Sequence, residues 1–452
     1  PSKVRFRACP VRIPPSVIIL AMHRNRLRSF LWVFIPLVSI ITLGIIAYQL
    51  PIVQEKVAWR ISEFQARIKY AISPPEEAVF TPNPTVVAMV QSTLDSLTPT
   101  VTITPNAAPT AAPIDTPTPS PVPTAIPKSV QLTGVRHEYQ KWNNCGPANL
   151  SMALSFWGWD GDQRPIAEFV KPNPRDKNVM PYEMANFVEE GTGLKVITRV
   201  GGDIELLKKF IAAGFPVLVE KGFEGSGFNG WMGHYEVITG YDDEKQLFTA
   251  QDSYIMADLP IGYDKLELYW RHFNYTYIVV YPPDREAEIF ALLGPHVDEA
   301  YNFQYAAQLA SDEIFQLGGR ALFFAWFNRG TNLKDLQDYV GAAAAYDEAF
   351  QIDAELAVSD PEHRAWRMLW YQTGPYFAYY YTGRYYDVVS LADFTINNMS
   401  EPSVEESFYW RALAREALGD IAGAIEDFER ALRWHPDWDP ALAQLRRLGV
   451  TS

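Results

Sequence analysis

Between Thr100 and Pro127 the chain is dominated by Pro, Thr and Ala, as in Thr116-Pro-Thr-Pro-Ser-Pro-Val-Pro-Thr-Ala-Ile-Pro127. Such a segment cannot bury enough apolar surface to offset its conformational entropy and favours extended polyproline II. No compact fold runs through it. The sequence is therefore organised as two parts joined by a spacer, and at roughly 3.1 Å per residue the spacer reaches on the order of 100 Å.

Before the spacer, Phe30 to Val53 contains no charged residue, long enough to span a bilayer with some tilt. Arg24, Arg26 and Arg28 stand just before it, which keeps the N-terminus cytoplasmic and exports the remainder of the chain. No small-residue cleavage site comes after the run, so an uncleaved signal-anchor is expected. Residues 1–29 then form a basic cytoplasmic N-terminus, within which Met22 is a possible start, and 30–53 a single transmembrane helix. Residues 54–127 form a juxtamembrane segment and stalk, with Val57, Ile61, Phe64 and Ile68 at helical spacing. The expected location is the cell membrane, single-pass, with everything after the anchor extracytoplasmic.

The whole chain, 48% apolar and 14% aromatic, has the composition of a packed protein. A formal charge of −14 argues against nucleic acid, whose phosphates would be repelled. Residues 128–284 read as one domain. Helical patterns over 147–157, 182–190 and 204–213 precede strand-like runs at 216–220, 234–241, 247–251 and 275–281, an α+β order.

Within that domain, Cys145-Gly-Pro147 precedes the buried helical pattern of Leu150, Met152, Ala153, Leu154, Phe156 and Trp157. Pro147 suits the first turn of a helix, because its missing N–H is one the helix leaves unpaired anyway. Cys145 then sits at or before a helix N-terminus, where the macrodipole favours an anion. A small buried hydrophobe is the bland alternative. Export tilts the balance, because the other cysteine, Cys9, lies across the membrane segment and a partnerless extracytoplasmic thiol implies reactivity. A thiol nucleophile needs a base and the base an orienting group. Of the seven histidines, His234 heads the strand Gly233–Tyr241, which a turn joins to Leu247–Gln251. A hairpin loop of two or three residues would set position 252 or 253 opposite His234, and 252 is Asp. His272 has no comparable partner, and His137 falls in a loop.

Gln140…Asn144-Cys145-Gly146-Pro147…Met152, then Gly233-His234-Tyr235…Gly240-Tyr241-Asp242, then Asp252-Ser253 resembles the papain-like bacteriocin-processing peptidases, the double-glycine leader peptidases and their exported C39-like relatives. The resemblance covers roughly 131–282 and implies a papain-like cysteine peptidase fold. It also implies Cys145 as nucleophile, His234 as base, Asp252 as orienting group and Gln140 as oxyanion donor. Gln140 stands five residues before Cys145, where the family's glutamine stands six before. The leader peptidases proper are fused to exporters, and no such module is present, so a double-glycine leader is not the expected substrate. Asn144, Phe228 and Trp231 are candidate substrate contacts, the last two on a loop, 222–233, expected to be flexible and to border the cleft. That loop contains Gly225-Ser-Gly-Phe-Asn-Gly230, but no helix comes after it as a dinucleotide site requires. No metal-ligand spacing is present, so neither metal nor cofactor is expected.

Residues 285–452 are helical and repetitive. Phe408…Ala412…Gly419-Asp420…Ala424…Phe428…Ala431…Pro436 resembles the tetratricopeptide repeat, in which small residues let paired helices approach closely. Trp326, Gly330, Leu333, Ala342, Tyr346 and Ala349 form an earlier unit, and Tyr371–Ala392 a degenerate one. The resemblance implies an all-α array that binds a protein partner, although a lid packed on the peptidase domain is an alternative. The expectation is thus a membrane-anchored enzyme acting on peptides or proteins. A papain-like acyl or γ-glutamyl transferase, or an inactive surface protein-binding module, would share these features.

Overall fold

The computed structural model describes residues 51–75, 78–85, 87–88, 126–224 and 230–450, with Val38, Ser39, Thr42 and Gly44. The chain divides into two compact units, Pro1–Lys69 and Tyr70–Ser452. Helix α1 (Pro51–Ile72) covers the expected juxtamembrane helix, and Ile61, Phe64 and Ile68 are exposed on it. The expected membrane span, 30–53, lies mostly outside the described residues, as does the Pro/Thr-rich spacer up to residue 125. Among the described residues no helix is long and apolar enough to cross a membrane.

The second unit is built on an antiparallel sheet of seven strands: β1 (Ser129–Gln131), β2 (Lys195–Arg199), β3 (Val217–Phe223), β4 (Met232–Asp242), β5 (Leu247–Gln251), β6 (Leu259–Gly262) and β7 (Tyr277–Tyr281). The order across it is β2-β7-β3-β4-β5-β6, with β1 added to the far end of β4. Side chains alternate between the faces of a strand, and here both faces are buried. Val217, Val219, Tyr277 and Val279 join one core, with the helices Ile204–Ala212 and Tyr263–Trp270. Leu218, Tyr235, Val237, Ile278 and Val280 join the other, under α2 (Cys145–Phe156), α3 (Gln163–Val170) and α4 (Pro181–Gly191). The helices on the first face are α5 (Ile204–Ala212) and α6 (Tyr263–Trp270) in chain order. Asp162 and Asp203 cap α3 and α5 by accepting the amides of Arg164 and Leu206, the ordinary N-cap device. The sequence expectation of helices first and strands later is corrected at β1 and β2, which come before and among the helices.

Helices α7 (Glu286–Leu293) and α8 (Glu299–Ile314) lead into three helix pairs: α9/α10 (Gly319–Asp335, Tyr339–Ser359), α11/α12 (Gly374–Tyr381, Tyr385–Asn398) and α13/α14 (Glu405–Ala417, Ile421–Trp434). Helix α15 (Asp439–Arg447) closes the series. Close approach within a pair rests on small residues: a Cβ on Gly330 would stand 2.8 Å from the Tyr346 ring. Asp338 and Asp420 cap α10 and α14 in the same way, each accepting an amide three residues on. The repeats share one core with the sheet domain, in which Trp231 and Phe273 pack among Phe323, Phe324, Trp366 and Tyr371. Part of the segment expected as free stalk is packed instead: Phe80 is buried edge-on to Phe350, and the Ala78 carbonyl accepts from Arg364 Nη1 at 2.9 Å.

Candidate active site

Cys145 is the first residue of α2 and is half-buried. No side chain caps the helix, so its first amides keep the electropositive character that attracts an anion. The helix start fits tightly, since a Cβ on Gly146 would meet Val179 at 3.2 Å. Asn149, one turn along, ties the helix to the sheet. Its Nδ2 lies 2.9 Å from the Cys145 carbonyl, 2.7 Å from that of Tyr235 and 2.8 Å from Ser253 Oγ.

His234 lies near the start of β4, 3% exposed, with its ring tilted against Phe223. Its Nε2 is 3.0 Å from Asp252 Oδ2, which leaves Nδ1 for Cys145, whose thiol acts on the ring. Burial disfavours the imidazolium, but the Asp252 carboxylate and then Cys145 outweigh it and raise the pKa to about 9. Burial likewise disfavours the Asp252 carboxylate. His234 and the amides of Ile255 and Tyr254 overcome that and lower its pKa to about 2. Those two amides donate to Oδ1 at 2.7 Å each.

The expected hairpin register is corrected. The β4–β5 loop comprises residues 243–246 rather than two or three, and the ladder shifts between Ile238 and Gly240. The last pair is Val237 with Gln251, so continuing the ladder sets Asp252 level with Glu236. His234 lies two residues along on the same face, a diagonal neighbour within side-chain reach.

Gln140 is half-buried, and its amide oxygen accepts from Ser253 Oγ at 2.8 Å while its backbone N–H donates to the Ser253 carbonyl. The Nε2 end is thus the end available to a developing oxyanion. Asn144 is placed differently from a substrate contact. It is buried, its Nδ2 donating to Gln163 at 3.1 Å and its Oδ1 accepting from Lys171 at 3.0 Å. Trp231 is fully buried, its indole N–H donating to His272 Nδ1 at 2.9 Å and its ring stacked on Phe273. It belongs to the junction with the repeats because the strands run further than expected, pairing Gly222 with Gly233 and Phe223 with Met232. Phe228 lies outside the described residues.

Several contributors carried no sequence signal. His137 Nε2 lies 2.9 Å from the Asp252 carbonyl. Gln163 fastens the loop before Cys145, donating to Glu138 and Tyr139 and accepting from Lys141 and Asn144. Lys171 is a buried cation under the influence of Cys145; burial lowers its pKa, against the pull of Asp176 and Cys145. Tyr371 comes from the helical region and stands beside Gly233 and Cys145. A Cβ on Gly233 would lie 2.9 Å from its ring and 2.7 Å from Phe273. No grouping of His, Cys, Asp and Glu among the described residues suits a metal ion.

Known proteins resemble this chain along the same division. Residues 125–278 match the model of the peptidase C39-like family, and 405–437 that of the tetratricopeptide repeat. No curated protein matches the chain. A solved structure described as that of a C39-like peptidase from Bacillus anthracis is similar at 18% identity over 34% of this chain and 96% of that one, with a TM-score of 0.28. The chain therefore joins a C39-like peptidase domain to a C-terminal tetratricopeptide region.

Proposed function

We propose that this chain is a cysteine peptidase acting on polypeptides. The observation that carries the reading is the imidazole of His234, held at Nε2 by Asp252 and turned to a thiol at a helix N-terminus. In this reading the Cys145 sulfur attacks the scissile carbonyl, and the oxyanion is met by Gln140 Nε2 and the start of α2. The His234 imidazolium gives its proton to the leaving amine, and the acyl group stays on sulfur. His234 then takes a proton from water, whose oxygen attacks the thioester and releases the acid. Asp252 keeps one tautomer in place throughout. The repeats serve a protein partner or the substrate itself.

Incubating the purified chain with a peptide library and identifying the new termini by mass spectrometry tests the reading. Cleavage should fall more than about a thousandfold in Cys145→Ala, whereas cleavage that survives the substitution contradicts it. The charge-free run 30–53 behind three arginines supports an anchored domain outside the cytoplasm. Release of the protein from membranes by a high-salt wash would refute that placement.

A further inference from the structure

A cavity of about 1050 Å³ opens between the sheet and the repeats. Every residue of the edge strand β2 lines one side, and the first helices of the repeat pairs line the other, with Phe377, Glu406 and Trp410. An edge strand carries unpaired backbone donors and acceptors, to which an extended peptide can add. Two of the cations on the wall are spent locally, Arg199 on Glu299 at 3.3 Å and Lys334 on Asp335 at 2.5 Å. That leaves Lys195 against Glu189 and Glu286, while burial holds Glu220 and Glu406 largely as neutral acids, a balance that still favours a cationic occupant.

Glu220 has a distinct place in this wall. It is 5% exposed and pairs across the sheet with Tyr235, the neighbour of His234, whose carbonyl is tied by Asn149 to the helix that Cys145 begins. There it acts on Tyr235 and Tyr371 and is acted on by Cys145. Its carboxyl is hydrogen-bonded to Tyr235, and among the described residues no basic side chain pairs with it. An uncompensated buried carboxyl is costly, and burial raises its pKa to about 8. A positive group entering the cavity would remove that cost. The aromatic rings of the wall suit the methylene stem of such a group.

We infer that the cavity holds the substrate polypeptide, extended between β2 and the repeats, and that Glu220 receives a lysine or arginine side chain of that substrate near the bond to be cut. The inference rests on the peptidase reading. Its test does not use turnover, so the two fail separately. The full chain carrying Cys145→Ala, which cleaves nothing, is titrated with fluorescein-labelled extended peptides in which one lysine is moved position by position or replaced by norleucine. At one position lysine should tighten binding at least about tenfold. Glu220→Gln should abolish that advantage while leaving the norleucine peptide bound as before, which also reports an intact fold. Equal affinity of lysine and norleucine peptides at every position, binding of neither, or an advantage that survives Glu220→Gln would overturn the inference.

Discussion

Asp252 is the residue on which the site turns, because its two oxygens accept three N–H groups. Oδ1 serves the Tyr254 and Ile255 amides and Oδ2 serves His234. An asparagine has one oxygen. Kept on the two amides, it turns an NH₂ toward His234 Nε2, which must then accept, placing the ring proton on Nδ1 beside Cys145. Asp252→Asn thus removes the charge and also reverses the tautomer, and kcat/KM should fall by roughly a thousandfold, about 4 kcal/mol. Circular dichroism should show the fold retained. Asp242→Asn, in the turn at the other end of the hairpin, should leave kcat/KM unchanged, since its carboxylate only accepts the local amides of Glu244 and Lys245 and the Lys245 ammonium. A sensitive Asp242 and an insensitive Asp252 would break the assignment. The residue types are legible in the sequence, since spacing and turn chemistry lead to Cys145, His234 and Asp252. The register that brings them together is not, because a ladder shift between Ile238 and Gly240 leaves no mark in composition.

At the scale of elements, the site is a helix start fixed against a strand edge. The central strands are legible because β3, β4 and β7 are buried on both faces and carry the unbroken apolar runs Val217–Val219, Val237–Ile238 and Tyr277–Tyr281. Strand β2 and helix α3 are not, being short: Lys195-Val-Ile-Thr-Arg199 has two apolar residues, and α3 buries only Gln163, Ile166 and Val170. The tie between α2 and β4 is Asn149, and its significance comes only with the fold. Asn149→Leu keeps the volume but leaves the Tyr235 carbonyl and Ser253 Oγ without that donor. A cost of about 1–3 kcal/mol per unsatisfied group should appear as a lower melting temperature. Cleavage should fall further than stability alone explains, because Cys145 and His234 lose their common anchor. An unchanged melt with unchanged cleavage would show that Asn149 is not the tie.

The whole second unit is one body in which the repeats complete the peptidase domain. Asp176 and Glu183 of the peptidase domain lie near Glu405 and Glu406 of α13, next to polar ties such as Ser403 Oγ to the Arg175 carbonyl at 2.9 Å. Burial and Glu405 raise the pKa of Asp176 to about 8, and burial raises Glu183 to about 8. A carboxyl raised on folding binds more protons in the native state, so stability falls as pH rises from its ordinary value, 3.8 or 4.5, to about 8. His234 acts in the same direction: its contribution is complete below 6.5 and lost as pH rises through about 9. Asp252 opposes only in acid, its contribution fading as pH falls from 3.8 through about 2. The melting temperature should therefore decline from about pH 6 to pH 8, above which Lys177, lowered to about 8 by burial, acts in the opposite sense, and Asp176→Asn should flatten that decline; a melting temperature that climbs from about pH 6 to pH 8 would contradict the assignment. The most direct measurement of the central claim, that His234 activates Cys145, is the rate of iodoacetamide alkylation at Cys145 in the full chain at pH 6, monitored by mass spectrometry with Cys9 as the internal reference thiol. Alkylation of Cys145 should outpace that of Cys9 by at least about tenfold and lose the advantage in His234→Ala; equal rates in the two proteins would contradict it.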